Sequence, residues 1–179
     1  NISGISSIRL VPKTIYQDGV NEGILLRGSD ELALDGYRIS CNGGNDFSVI
    51  SDLNSKITSS GLIGTAGTFF TVLTKEGITY RYGKNNDSRL EVNGFVNSPP
   101  YTTSITRTLV WYLDKMTDSH GNSINYTYNN NLGEVTLREI SYTENEGTIP
   151  QIKPYNFIRF YYDKREDSNS NYLYGNVLQ

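Results

Sequence analysis

At 179 residues the chain has the length of one domain, enough to bury about 70% of its unfolded surface without covalent or metal staples. Sixteen Lys+Arg against 19 Asp+Glu give a net charge of −3, which excludes the basic excess expected of a nucleic-acid binder. One cysteine, Cys41, and one histidine, His120, exclude an internal disulfide and a structural zinc site, and no apolar run approaches the ~20 residues of a membrane-spanning helix.

What remains of the composition favours strands. There are 14 Tyr, 19 Asn and 17 Gly but only two Ala, Ala33 and Ala66. Tyr, Thr, Ile and Val suit pleated surfaces, while Asn and Gly suit the turns between them. No stretch carries apolar residues at helical spacing, so the expected fold is all-β, built of antiparallel hairpins in an open sheet or a sandwich. Residues 5–12 read as a short strand near an edge, where Pro12 is tolerated. Residues 14–30 are loop-rich, with a short strand at Ile24–Leu26. Leu32-Ala-Leu34 and Tyr37-Arg-Ile39 flank Asp35-Gly36, whose positive φ values make a two-residue hairpin turn. Asn42-Gly-Gly-Asn45 marks a break, strands follow around residues 47–50 and 56–59, and residues 61–67 form a loop.

The hairpin signals sharpen downstream. Phe69–Thr74 and Ile78–Tyr82 alternate in polarity around Lys75-Glu-Gly77, the pattern of a three-residue bulged loop. Residues 83–88 turn again, and Pro99-Pro100 reads as an exposed segment poor in ladder bonds. Residues 105–117 form a long strand that changes face through a bulge, because the spacing from Trp111 to Met116 is odd. Ser119–Asn122 turns, after which Ile124, Tyr126 and Tyr128 share one face. Asn129–Gly133 turns, strands follow at 134–142 and 157–162, and residues 143–155 read as a polar loop. One unit is expected, with a loop-rich half at 1–67 and a hairpin-rich half at 68–179. The first residue is Asn1 rather than Met, so a piece of a longer protein is expected.

Several of these runs together resemble a known family. Gly4-Ile-Ser-Ser-Ile8-Arg, Leu34-Asp-Gly-Tyr-Arg-Ile39, Phe70-Thr-Val-Leu-Thr-Lys-Glu-Gly-Ile-Thr-Tyr80 and Trp111-Tyr-Leu-Asp-Lys-Met-Thr-Asp118 come in the order seen in insecticidal toxin-complex B components and virulence-plasmid B proteins. The continuation through Gly121-Asn122-Ser-Ile124-Asn-Tyr126-Thr-Tyr128, Ile140-Ser-Tyr-Thr143 and Phe160-Tyr-Tyr-Asp-Lys-Arg165-Glu-Asp167 resembles the same family, which grades into RHS/YD repeats. The resemblance implies hairpins coiled into a hollow bacterial β-shell, secreted or on the cell surface, around a C-terminal effector. It makes Asp118, Gly121 and Asn122 turn residues, and Trp111, Ile124, Tyr126 and Tyr128 sheet residues. Asp35, Gly36 and Gly77 are turn residues by their own patterning. The implied partners are neighbouring repeats and an effector, with edge-to-edge self-association open to an isolated strip. At most two repeat-like units are present, so this stretch does not close a shell by itself.

Candidates for chemistry are few. His120 lies in a Ser-His-Gly-Asn turn and reads as a solvated residue rather than a base. Cys41 lacks a partner that would activate it and reads as a small buried or half-buried side chain. Asp30-Glu31 and Glu166-Asp167 are adjacent, so on a strand they point to opposite faces. Asp167-Ser-Asn169-Ser-Asn171 alternates oxygen ligands as a calcium loop does, but Tyr172 and Leu178 stand where such a loop needs Gly and Glu. Gly61, Gly64 and Gly67 are not spaced as a dinucleotide loop. Tyr126, Tyr128, Tyr161, Tyr162, Tyr172 and Tyr174 suit either cross-strand packing or sugar stacking. The expected function is therefore a structural shell segment with no catalytic residue, cofactor or metal. A carbohydrate-binding or adhesive β-sandwich module is the alternative, and a glycoside hydrolase fragment a more distant one.

Overall fold

The computed structural model describes residues 5–26, 29–49, 52–63, 65–95, 104–131, 133–163, 171–173 and 176–178. Antiparallel strands dominate: β1 (Ser7–Val11), β2 (Glu31–Leu34), β3 (Tyr37–Gly43), β4 (Asp46–Val49), β5 (Asp52–Ser59), β6 (Phe70–Leu73) and β7 (Thr79–Tyr82) form a meander. They are followed by β8 (Arg89–Phe95), β9 (Ser104–Thr117), β10 (Asn122–Asn131), β11 (Glu134–Asn145) and β12 (Asn156–Arg159). A separate hairpin pairs β13 (Asn171–Leu173) with β14 (Asn176–Leu178).

Turn chemistry sets the meander. Asp35 and Gly36 have φ of 50° and 89°, so both central residues of the β2–β3 turn are left-handed, which matches the twist of the flanking strands. Gly77, at φ 80°, completes the three-residue loop from β6 to β7, where the Thr74 amide donates to the Ile78 carbonyl.

Closure depends on β9. Along one edge it pairs β7, from Thr79 opposite Thr117 to Tyr82 opposite Leu113, and then β8, from Arg89 opposite Trp111 to Phe95 opposite Ser104. Along the other it pairs β10 at residues 115–117 and β1 at 110–112. Strands β1–β7 and β9 therefore form a barrel-like ring, and β10–β12 leave it as a ribbon. The ring is filled by side chains, as small barrels are. Ile8, Leu32, Ile39, Phe47, Ile57, Phe70, Val72, Leu109, Trp111 and Leu113 are all buried in one core. Trp111 lies edge-on to Phe70 with ring centroids 5.1 Å apart, and its indole N–H donates to the Thr68 carbonyl at 2.7 Å.

Strand β9 stays in phase by bulging twice, at Leu109 and at Asp114. The second bulge brings Met116 opposite Tyr80, on the same face as Tyr82 and Leu113, although Leu113 and Met116 are three apart. The odd Trp111–Met116 spacing has this as its cause.

Some expectations are corrected. Ile24–Leu26 is not a strand: the Leu25 amide donates to the Asp30 carboxylate and Leu26 turns inward at φ 58°. Strand β11 runs to Asn145, through a left-handed Thr143, where a loop is expected from residue 143. Strand β8 is not evident from patterning, nor is the helical turn α1 (Ile15–Asp18), capped by Thr14 and held by Arg38 on Asp18. Pro99-Pro100 lies outside the described residues.

Gly83 has two reasons to be glycine. Its φ is +74°, and a Cβ there would stand 2.3 Å from Cδ1 of the buried Trp111 ring. Gly36→Ala, with open space around it, should lower stability by about 1 kcal/mol through backbone strain alone. Gly83→Ala should cost about 2 kcal/mol more than that, through overpacking, read as the difference in urea midpoints between the two variants.

Candidate functional site

The ribbon and its junction with the barrel gather the chain's least ordinary polar arrangements. At the junction the bulged Asp114 is fully buried. Its carboxylate accepts from Arg81 Nε and the Lys84 amide, each at 2.5 Å, from the Asn85 amide at 3.1 Å and from the Ser88 hydroxyl at 3.3 Å. A buried charge is tolerable only when so fully partnered. Asp114 thereby fastens the connection between β7 and β8, which includes a 3-10 turn at Asn86–Ser88. Arg89, also buried, ties the same segment from the other side, donating to the Gly83 carbonyl at 2.8 Å, Asn86 Oδ1 at 2.7 Å and Glu91 at 2.8 Å. The fastened loop then receives the ribbon. Asp87 accepts from the Tyr128 amide at 3.0 Å, and Asn130 donates to the Arg89 carbonyl at 2.6 Å. Tyr128 is buried, its hydroxyl donates to the Leu113 carbonyl at 2.5 Å, and its ring lies 5.4 Å from that of Tyr112.

At the far end two turns interlock. Asp118 accepts from the His120 amide at 2.8 Å, the Asn122 amide at 2.9 Å and the Asn122 side chain at 2.8 Å. The Asn122 side-chain bond is the main cause holding the Asp118 carboxyl below its ordinary range. The Asn122 carbonyl oxygen Oδ1 in turn accepts from Asn145 Nδ2 at 2.9 Å, and the Glu146 amide donates to the Gly121 carbonyl at 3.0 Å. Gly121, at φ +82°, lies so close that a Cβ would come within 2.9 Å of the Gly147 nitrogen. Beside this clasp the buried Lys115 bridges Glu144, at 3.4 Å, and Glu146. Burial pushes the Glu144 carboxyl up, but the Asn125 amide at 2.7 Å and the Lys115 ammonium outweigh it and hold it below the usual Glu range.

Between junction and clasp the sheet is two-faced. One cross-strand row runs Arg81, Lys115, Asn125, Ser141, Phe157 and is largely polar. Its neighbours on the other face are apolar: Tyr80, Met116 and Ile124 in one row, Tyr126, Ile140 and Ile158 in the next. Tyr80 and Tyr126 pack against the barrel core, so the apolar face continues from the core outward. It ends at β12, which among the described residues pairs only with β11. Phe157 and Ile158 are each 46% exposed there, and Tyr155, Tyr161 and Tyr162 are exposed beside them. Arg159, the one charge on β12, is matched by Glu139 at 2.7 Å.

The remaining candidates fall elsewhere. His120 is exposed in its turn. Cys41 is exposed, which corrects the expected burial: it stands at the wall of an open cleft of about 570 Å³, with Asp30, Glu31, Phe47 and Leu62. It pairs with Phe47 beside the bulge at the exposed end of β3. No group of three or more His, Cys, Asp or Glu suited to a metal exists among the described residues. Glu166, Asp167, Asn169 and Tyr174 lie outside them. Sequence reading missed Asp114, Arg89 and Lys115, because a charge within an alternating strand reads as solvent-facing.

With this geometry in view, comparison with known proteins is informative. The family model described as Salmonella virulence plasmid 65kDa B protein matches residues 45–171. Among solved structures the chain is similar to the N-terminal domain of the effector protein SpvB from Salmonella typhimurium, at a TM-score of 0.62 and 14% identity over 98% of this chain and 72% of that one. It is similar to the TcdB2-TccC3 crystal structure at a TM-score of 0.58 and 14% identity, covering 81% of this chain and 8% of that one. The Photorhabdus luminescens Tc holotoxin pore matches at a TM-score of 0.52 and 15% identity over 80% of this chain and 8% of that one. The chain thus spans less than a tenth of those two toxin chains, and the likeness at such identities is one of fold. No curated protein matches the sequence.

Asp114→Ala should destabilise the protein by about 3 kcal/mol, since it strands buried donors without an acceptor, as read from the denaturant midpoint. Glu144 has a depressed folded-state pKa, so its contribution is complete above the ordinary Glu pKa near 4.3 and drains as pH falls below it. Glu144→Gln should therefore flatten the stability–pH curve on the acid side of that value and leave its slope at neutral pH unchanged.

Proposed function

The chain belongs to the Salmonella virulence plasmid 65kDa B protein family, and from that premise we propose that it is a non-catalytic structural segment of a secreted or surface β-shell in a bacterial toxin. Its neighbours are further strands of the same polypeptide, and the shell they build together holds or presents an effector. The observation that carries this reading is the outer edge of β12, which among the described residues pairs with no further strand. Successive residues of a strand point their amides to opposite edges, and the Phe160 amide donates to the Arg138 carbonyl of β11. The Phe157 and Arg159 amides therefore point away from β11, and an apolar face reaches that same edge. Natural sheets guard a permanent edge with lysine, proline or a covering element. Strand β12 has an arginine already matched by Glu139 and two half-exposed apolar residues, which suits a strand that receives another.

The tyrosines of β10 support the structural reading over sugar binding. Tyr126 packs on the core and Tyr128 is buried, so neither ring is offered to a ligand.

Hydrogen exchange tests the reading. In the full-length gene product the Phe157 and Arg159 amides should exchange roughly tenfold or more slowly than in the 179-residue chain alone, while the Ile158 amide changes little. Equal exchange of the outward amides in both would remove the shell assignment.

A further inference from the structure

The sequence contains two Asn–Gly pairs, Asn42-Gly43 and Asn93-Gly94, and the fold treats them in opposite ways. We propose that Asn42 is a site of spontaneous, fold-directed modification, converting to aspartate and isoaspartate, while Asn93 is protected. The reaction needs the backbone nitrogen of the following residue to reach the asparagine Cγ. A glycine there permits it, having no Cβ in the way and a backbone free to rotate.

At β3–β4 the conditions meet. Cys41 pairs with Phe47 and Gly43 with Asp46, so Asn42 is the extra residue of a bulge, without a cross-strand partner. It is exposed to water. Gly43 has φ +120° and nothing within 4 Å of where a Cβ would stand. The Ser48 hydroxyl donates to Asn42 Oδ1 at 3.3 Å, which draws electrons from Cγ and favours attack there. At β8 the conditions are absent: Asn93 is held opposite Thr106 and Gly94 opposite Ile105 in the ladder with β9. The Asp–Gly pairs, which pass through the same cyclic imide, are restrained too. Asp35 accepts from the Ser7 amide at 2.7 Å and the Ser6 hydroxyl at 2.6 Å, and Asp18 from the Thr14 amide at 2.7 Å and Arg38 at 2.9 Å.

The chemistry balances with water alone. The Gly43 nitrogen loses its proton to solvent and bonds to Asn42 Cγ. The Cγ–NH₂ bond breaks and ammonia leaves with the proton. Water then opens the five-membered imide at either carbonyl, giving aspartate or isoaspartate. Either product adds a negative charge next in sequence to Cys41, which lines the cleft with Asp30 and Glu31, and isoaspartate also lengthens the β3 backbone by one carbon at the turn.

Peptide mass mapping after incubation of the folded chain at mildly alkaline pH tests this. The mass gain of an amide turned acid should accumulate roughly tenfold or more faster at Asn42 than at Asn93, because the ladder position reacts only through local opening. In urea the two rates should converge, and Asn42→Gln, which requires a larger ring, should abolish the gain at that position with the denaturant midpoint unchanged. Equal rates at both positions in the folded chain, or an Asn42 that stays intact while Asn93 reacts, would overturn the proposal. The outcome is independent of whether β12 receives another strand.

Discussion

The arrangement depends on one carboxylate that should not, on solvation grounds, be where it is. Asp114 is fully buried in the long strand β9 and repays its desolvation with a guanidinium, two backbone amides and a hydroxyl. The guanidinium is that of Arg81 on β7, and the amides and hydroxyl lie on the connection from β7 to β8. With the connection fastened, Gly83 can lie against Trp111, and Asp87 and Arg89 can present acceptors to Tyr128 and Asn130. One bulged residue thus links the closing of the barrel to the departure of the ribbon.

Local features of this fold were readable in the residues. Asp35-Gly36 and Lys75–Gly77 announce their hairpins because two-residue and three-residue loops demand particular φ values that few residue types meet. The odd interval between Trp111 and Met116 announces a bulge because a strand can place both on one face in no other way. What stayed hidden is non-local. Strand β8 follows the turn-rich Gly83–Ser88 and carries Asn93-Gly94 within it, so its strand character comes from β9 rather than from its own pattern. The barrel closes by pairing Ser7 with Tyr112, more than a hundred residues away, and no interval in the sequence encodes that. Ile24–Leu26 has a strand's composition but is bent by a left-handed Leu26.

The candidate site divides the same way. The Asp118–Asn122 turn is a local motif, and its internal bonds are those its residue types make anywhere. Its second layer of contacts, to Asn145, Glu146 and Gly147, joins it to a turn that sequence places 25 residues later, as the Asn145 bond to the His120 carbonyl illustrates. Lys115, Glu144 and Glu146 converge only through the pairing of β10 with β9 and β11, where the left-handed Thr143 falls at a register shift.

The lacing of β9 on both edges also has a mechanical meaning. Strands β7, β8, β1 and β10 all run antiparallel to it, so a pull along β9 loads many ladder bonds at once in shear. A pull on β12, which among the described residues is bonded to β11 alone, unzips the ribbon a bond at a time. Under tension this polypeptide should surrender its outer ribbon long before its barrel, which makes β9 the keel of the structure and β12 its tear strip.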